Sequence, residues 1–419
     1  MNPSFKFCFV KVFAAILFVL LFYNENIIAQ IKIYHSPLGY ENLYEDREID
    51  ASLDNCEREP RDPIENKNVF VKFKTFPIFN KQECFVDVVV NGQSKKTFKA
   101  DFQNNYAGES FWKANIGDYK KNDLVEYSLR INYGDGSSEK SNNYKFITYG
   151  WDFLTEVKSA DFVDNNLVLS CYSTNKSINP IVRLSFHSGT SIKFDVSFES
   201  LPKKSNEKEE KCSFQQIEGN GILSNSKLKL EIDYKPFRIK LISLENGKEI
   251  VKQYLFSKHS SIGFLNNSEG ILKVCENFYS ADDEMFFGFG ERYNSIDQRG
   301  NGIDNYTTNV WKDQGLRTYI PVPFYFTNKN YGFFLNSTYY SRFNLDVDKT
   351  NKCEIVANFG RKFSGEFQYY LFADDKPLKI ISDFSTISGK SEQIPVWSLG
   401  PWISANEWDK QSEIEAQID

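Results

Sequence analysis

One stretch of this chain gathers side chains suited to a hydroxyl-rich ligand. Residues 299–315 (RGNGIDNYTTNVWKDQG) are rich in Gly and Asn and show no clear periodicity. Loops of that length are often functional. This one carries Asp304, Trp311, Lys312, Asp313 and Gln314. A flat ring can stack on such a ligand while carboxylate and amide groups meet its hydroxyls. A solvated loop tip would use the same residue types. Just upstream, Gly288 and Gly290 alternate with phenylalanines in Phe286-Phe-Gly-Phe-Gly290. Glycines spaced so in a strand mark a bulge or a close approach of backbone or ligand. Glu291 and Arg292 follow, and a buried ion pair that fixes the loop is expected of them rather than catalysis by Glu291.

Other chemistries find little support. Three histidines (His35, His187, His259) lie far apart, a poor start for a His-built metal site or a Ser-His-Asp relay. Cys8 falls in the N-terminal leader described below. The six other cysteines, Cys56, Cys84, Cys171, Cys212, Cys275 and Cys353, contain no CxxC pair, which disfavours zinc. They could form disulfides, with 15 possible pairings, or remain buried thiols. The net charge is −6, from 50 basic and 56 acidic residues. That balance leaves no basic footprint for nucleic acid. No metal or organic cofactor is implied.

The elements that must position the loop are strands. Phe, Tyr and Trp make up 16 % of the 419 residues, and aromatic enrichment favours sheets over helix bundles. Val69–Thr75, Cys84–Val90, Val125–Ile131 and Tyr144–Thr148 read as short strands, with turns at Asn91-Gly92 and Tyr133–Gly136. Strands at that spacing suggest an immunoglobulin-like β-sandwich over residues 30–151. Ser191–Phe198 and Lys227–Asp233 alternate at period two. Ile239–Leu244 and Ile250–Leu255 flank Asn246-Gly247, a hairpin signal. Tyr319–Phe326 and Tyr331–Leu335 form another hairpin around Thr327–Asn330. Residues 152–393 are too long for a simple sandwich and suit a larger two-sheet supersandwich. The charged run 202–211 reads as a solvated loop. At 394–419 the character changes. Trp397–Ile403 reads as an apolar strand and 406–418 as a polar helix capped by Ser404 or Asn406.

The N-terminus reads as an export signal. Lys6 and Lys11 precede the apolar run Val12–Tyr23, then a polar break and Ala29. Twelve apolar residues fall short of the roughly 20 of a membrane span. A cleaved 1–29 leader and an exported mature chain without a membrane span are expected. The destination is the periplasm, the cell surface or the medium. Four acceptor-type sequons, at Asn175, Asn266, Asn305 and Asn336, matter only if the source glycosylates exported proteins.

Two passages carry a family resemblance. Phe286–Gly300, with Asp304, Trp311–Gly315 and Arg317–Phe324, is one; Pro395–Trp408 (PVWSLGPWISANEW) is the other. As an ordered set they resemble glycoside hydrolase family 31, the α-glucosidase and α-xylosidase family, over residues 153–419. The resemblance implies a mainly β chain. A galactose-mutarotase-like β-supersandwich would follow the immunoglobulin-like sandwich and lead into the first strand-helix unit of a truncated (β/α)8 barrel. It implies an α-glycoside ligand and, as a partner, the remaining barrel. In the family a loop here reaches over the barrel mouth and touches the sugar. By position Asp313 is then the first substrate-binding candidate, with Trp311 beside it and Asp304 nearby.

Retaining hydrolysis needs two carboxyl groups about 5–5.5 Å apart. The resemblance places both on later barrel strands, and a full barrel takes about 250 residues. No position in this chain matches their motifs, so no catalytic residue is assigned. The expected role is the non-catalytic N-terminal portion of an exported α-glycosidase. A carbohydrate-binding or cell-surface module without catalysis competes with it, and a structural adhesin more weakly.

Overall fold

A computed structural model describes residues 32–38, 56–134, 136–199, 210–308, 312, 314–360, 366–400 and 409–416. The leader at 1–29 and most of the charged run 202–211 lie outside these residues.

The first unit contains β1 (Lys32–Tyr34), β2 (Arg58–Glu59), β3 (Phe70–Phe76), β4 (Glu83–Val90) and β5 (Lys96–Lys99). It continues with β6 (Asp101–Tyr106), β7 (Glu109–Asn115), β8 (Leu124–Asn132) and β9 (Ser138–Ile147). One sheet runs β1-β3-β7-β6, with β2 beside β3; the other runs β5-β4-β8-β9. Alternation explains the pairing of the sheets. Val71 and Phe73 of β3 and Val125, Tyr127, Leu129 and Ile131 of β8 all turn into one core with Trp112. Each such side chain contributes about 1.5–3 kcal/mol through burial. Asn91 and Gly92, both at positive φ, turn the chain from β4 toward β5 as the Asn-Gly pair predicts.

The second unit opens with β10 (Gly150–Val163), β11 (Asn166–Ser173), β12 (Ile181–Ser188) and β13 (Ser191–Ser197). Next come β14 (Ser213–Ile217), β15 (Asn220–Ser224), β16 (Leu228–Tyr234), β17 (Phe237–Ser243) and β18 (Glu249–Lys252). β19 (Gly263–Asn267), β20 (Gly270–Tyr279), β21 (Phe286–Gly290), β22 (Gly302–Asn305) and β23 (Pro321–Thr327) follow. β24 (Tyr331–Leu335), β25 (Ser341–Leu345), β26 (Lys352–Asn358) and β27 (Glu366–Ala373) complete it. Thirteen of the described strands form one sheet, β21-β23-β24-β27-β13-β12-β11-β10-β19-β20-β26-β25-β22. The other five form β14-β15-β16-β17-β18. The two sheets bury a common core. Rings stack along it from Phe194 to Tyr369, Phe333, Tyr325 and Phe289, at centroid spacings of 4.6, 5.2, 5.5 and 5.3 Å. The hairpins expected around Asn246-Gly247 and Thr327–Asn330 form as β17-β18 and β23-β24.

Several expectations change. β13 alternates in sequence, yet all its residues are buried. Its polar side is served by Arg183 of β12, whose guanidinium donates to Asp195 at 2.7 and 3.0 Å. A helix, α1 (Pro377–Ser388), lies inside the segment read as strands. Its Ile380, Phe384 and Ile387 pack on Phe324, Phe334 and Phe372. Of the apolar strand expected at Trp397–Ile403, residues 397–400 are described, and a single 3-10 turn, Val396–Leu399, takes the place of a strand there. A strand needs ladder partners, and no described strand lies beside it. In the helix read after it, the described part is α2 (Gln411–Glu415), with Lys410 at its N-cap; Ser404 and Asn406, the caps expected from sequence, lie outside the described residues. All six described cysteines are free. Asn266 is buried, its amide donating to Asp152 at 2.8 Å, so this sequon is closed to modification.

Candidate functional site

The candidate site begins where β21 meets β23. Gly288, Phe289 and Gly290 all have positive φ, and the register shifts between Gly288 and Gly290. A Cβ on Gly290 would sit 1.9 Å from the Ile320 carbonyl oxygen, and one on Gly288 would sit 2.6 Å from that of Phe324. The glycine spacing therefore serves a bulge and a close backbone approach. The bulge drives the Phe289 ring into the core, where it stacks on Tyr325.

The residues after the bulge form a clamp. Asp297 accepts from the backbone N–H of Phe286 and of Arg299, both at 3.0 Å. Arg299 donates to Asp346 at 2.6 Å and to Ser280 at 2.8 Å. The Asp297–Gly300 passage is thus a fastening between β21 and the turn after β25.

Arg292 is the hub. Its guanidinium donates to the carbonyl oxygens of Phe289 (3.0 Å), Leu316 (2.5 Å) and Asp304 (3.2 Å). Burial lowers its pKa to about 10, with the Asp304 charge opposing the shift. The buried Glu291–Arg292 pair does not form. Glu291 is exposed, and its side chain faces solvent while its backbone carbonyl accepts from Thr318. Three carbonyls in fixed directions suit a planar five-donor fork, which explains the substitution of carbonyls for a carboxylate.

From this hub the loop leaves through a neck. Thr307 bridges Thr318, and the Thr308 N–H donates to the Thr318 carbonyl at 2.8 Å. Trp311 and Asp313 lie beyond the neck, outside the described residues. Lys312 is exposed and Gln314 half-buried. Asp304 stands at the base, on β22 opposite Arg342 of β25. It accepts from Arg342 at 3.0 and 3.1 Å and from the Tyr340 hydroxyl. Burial, then the hydrogen bond to Asp304 and that carboxylate's charge, push the Tyr340 pKa up. Asp304 thus spends its charge within the fold while remaining a quarter exposed.

Tyr340 and Arg342 were not singled out from sequence. They sit 36 and 38 residues away from Asp304 and meet it only across a ladder. Around the neck, Tyr293, Tyr306, Tyr319 and Ile320 stand exposed. Beside β21 an open depression of about 370 Å³ is lined by Phe287, Arg292, Tyr293 and Asn294. Among the described residues no group of His, Cys, Asp and Glu could hold a metal ion. The arrangement can present rings and hydrogen-bonding groups on a braced loop.

Comparison with known proteins gives this geometry a context. Residues 176–344 match the glycosyl hydrolase 31 N-terminal galactose mutarotase-like domain, and residues 34–112 match the Lmo2446-like N-terminal family. An isomaltosyltransferase of Sporosarcina globispora is 32 % identical over 420 residues, covering 100 % of this chain and 37 % of the relative. A 1,3-alpha-isomaltosidase of Kribbella flavida is 28 % identical over 38 % of this chain and 22 % of its own length. A cycloalternan-forming enzyme from Listeria monocytogenes, solved with a pentasaccharide substrate, superposes with a TM-score of 0.79 at 27 % identity. That match covers 92 % of this chain and 36 % of the enzyme. The chain therefore spans little more than a third of the length of the isomaltosyltransferase and of the cycloalternan-forming enzyme.

Proposed function

We infer, from a chain that belongs to glycoside hydrolase family 31 through its galactose mutarotase-like domain, that it forms the carbohydrate-engaging front of an exported α-glucan-acting enzyme. Its reaction class is transfer or hydrolysis of α-glucosyl units, with isomaltosyl transfer the leading reading. The isomaltosyltransferase matches the whole chain, sandwich included, and the structure solved with pentasaccharide shares the same two units. The chain supplies no catalytic residue in this reading. It supplies a loop, with Asp313, Trp311 and Asp304 as its sugar-contacting candidates. Export follows from the N-terminal charge-plus-apolar pattern.

One observation carries the reading: Arg292 holds the loop neck through three backbone carbonyls. A solvated tip needs no such half-buried cation gripping its neck. The test combines this chain with a barrel of the same family, in one polypeptide or in trans, and follows isomaltosyl transfer between oligosaccharides. The chain alone is expected to give no product, and the combination to give transfer. Arg292→Ala in the combination is expected to raise KM by roughly tenfold, a loss of about 1.4 kcal/mol. Turnover by the 419-residue chain alone would overturn the division of labour. Glycan binding with no turnover in any combination would favour a binding module.

A further inference from the structure

We propose that the outer face of the β1-β3-β7-β6 sheet is a second carbohydrate-binding surface, which takes a neutral glycan chain across a row of aromatic rings. Register places the rings. Tyr34 lies opposite Lys74, and Lys74 opposite Phe111, which in turn faces Asn104. Lys32 lies opposite Phe76, and Glu109 opposite Tyr106. Directly opposite residues in an antiparallel pair share a face, and residues two apart along a strand do too. Tyr34, Phe76, Phe111 and Tyr106 therefore all project from the side away from Val71, Phe73 and Trp112. Tyr34 is 40 %, Phe76 44 % and Tyr106 73 % exposed. Three strand spacings of about 4.8 Å separate β1 from β6, roughly 14 Å in all, room for a short oligosaccharide.

The charges between the rings choose the ligand. Lys74 donates to Glu109 at 2.9 Å, while Lys72 and Lys113 both pair with Glu59. The Lys74 ammonium also lies 5.7 Å from the Tyr34 ring centre, and that of Lys113 lies 4.5 Å from the Phe70 ring centre. Counting Lys32 and Asp101, which lies opposite Lys113, four lysines stand against three carboxylates on this face, and a net charge of about +1 gives little field to attract a polyanion such as nucleic acid or an anionic membrane. A neutral polyhydroxylated chain needs no such field. Its C–H faces pack on the rings, and its hydroxyls meet Asn104, Glu109 and Lys32 at the margins. Rings staggered over a sheet face, with polar residues between them, suit successive sugars of one chain, where a protein partner would want a packed apolar centre. That the glycan is an α-glucan rests on the function proposed above; the face itself does not.

Native affinity electrophoresis of the whole 419-residue chain tests this, in gels containing soluble dextran, starch or xyloglucan. Retardation by dextran is expected. The Tyr34→Ala/Tyr106→Ala double variant should lose about tenfold in apparent affinity. Tryptophan at both positions should restore it. The thermal midpoint of each variant should match the parent, which separates lost binding from lost folding. Retardation by xyloglucan alone, lost in the double variant, would support the face and overturn the α-glucan reading. No retardation in any gel, or retardation that survives the double substitution, would overturn the face. Concentration-dependent self-association abolished by the same substitutions, with no retardation, would also overturn it and assign the face to a second copy.

Discussion

Gly290 and Gly300 both sit at positive φ, near +83° and +81°, yet their surroundings differ completely. A Cβ at Gly300 meets nothing within 4 Å, whereas at Gly290 it meets a backbone carbonyl oxygen at 1.9 Å. Gly300→Ala is expected to cost about 1 kcal/mol, the conformational penalty alone. Gly290→Ala should cost more than about 3 kcal/mol, because neither backbone can move without breaking the bulge. Urea unfolding of the two variants would check the contrast; equal losses would mean that close approach is not what holds β21 to β23. Arg292 belongs to the same scale. Its value lies in three carbonyls that no other described side chain serves together, so lysine, with one compact ammonium, should not replace it.

Among the elements, β20 carries the most exacting residue. Glu276 is fully buried and accepts from Ser261 (2.7 Å), Gln253 (2.9 Å), Tyr369 (2.9 Å) and the Asn277 N–H (2.8 Å). These bonds tie β20 to β27 and to the residue just after β18. Burial raises the Glu276 pKa to about 7, against donors that favour the charge. Since the folded pKa exceeds the ordinary 4.5, the associated stability is complete below pH 4.5. It is lost as pH rises through about 7. Glu276→Gln removes that dependence and sets an amide against fixed donors. The parent's stability advantage over the variant should therefore shrink between pH 5 and pH 8, as urea midpoints would show. An advantage that grows with pH would mean that Glu276 is ionised in the fold throughout. The helix α1 makes a complementary point. Gly332 leaves room for Ile380, whose Cγ2 would lie 2.6 Å from a Cβ there, so one absent methyl admits a helix onto the sheet.

Across the whole molecule the two units are joined tightly. β10 starts at Gly150, three residues after β9 ends, and pairs at once with β19. Ile64, Tyr149, Trp151, Leu265 and Leu272 pack at the junction. Lys121 pairs with Asp152 across it, and the Asn267 amide donates to the Ile147 carbonyl at 3.1 Å. A face on the sandwich is thereby held in a set direction relative to the loop neck of the second unit. At the other end, Val396, Trp397 and Leu399 are 83 %, 75 % and 71 % exposed. Such a contiguous apolar surface marks an interaction site or an aggregation risk. Trp397→Ser with Val396→Ser is expected to reduce self-association of this chain in sedimentation velocity, with no change in thermal midpoint. A fall in the midpoint would show that these side chains support the fold instead.

Much of this was legible in the residues themselves. Alternation in β3, β8 and β16, and the turn pairs Asn91-Gly92 and Asn246-Gly247, act locally: side-chain period and backbone φ depend on near neighbours, so sequence determined these strands and hairpins. The α1 helix was legible in principle, with Pro377 at its start and Ile380, Phe384 and Ile387 on one face, but short apolar runs leave helix and strand hard to separate. The family motif around Gly288–Gly300 was visible as a pattern, while its purpose was not. Whether Asp304 reaches out or turns to Arg342, whether Arg292 seeks Glu291 or three carbonyls, and whether four rings share a sheet face all depend on which strands become neighbours. That choice is made by burial summed over the whole chain, so only the tertiary structure decided it.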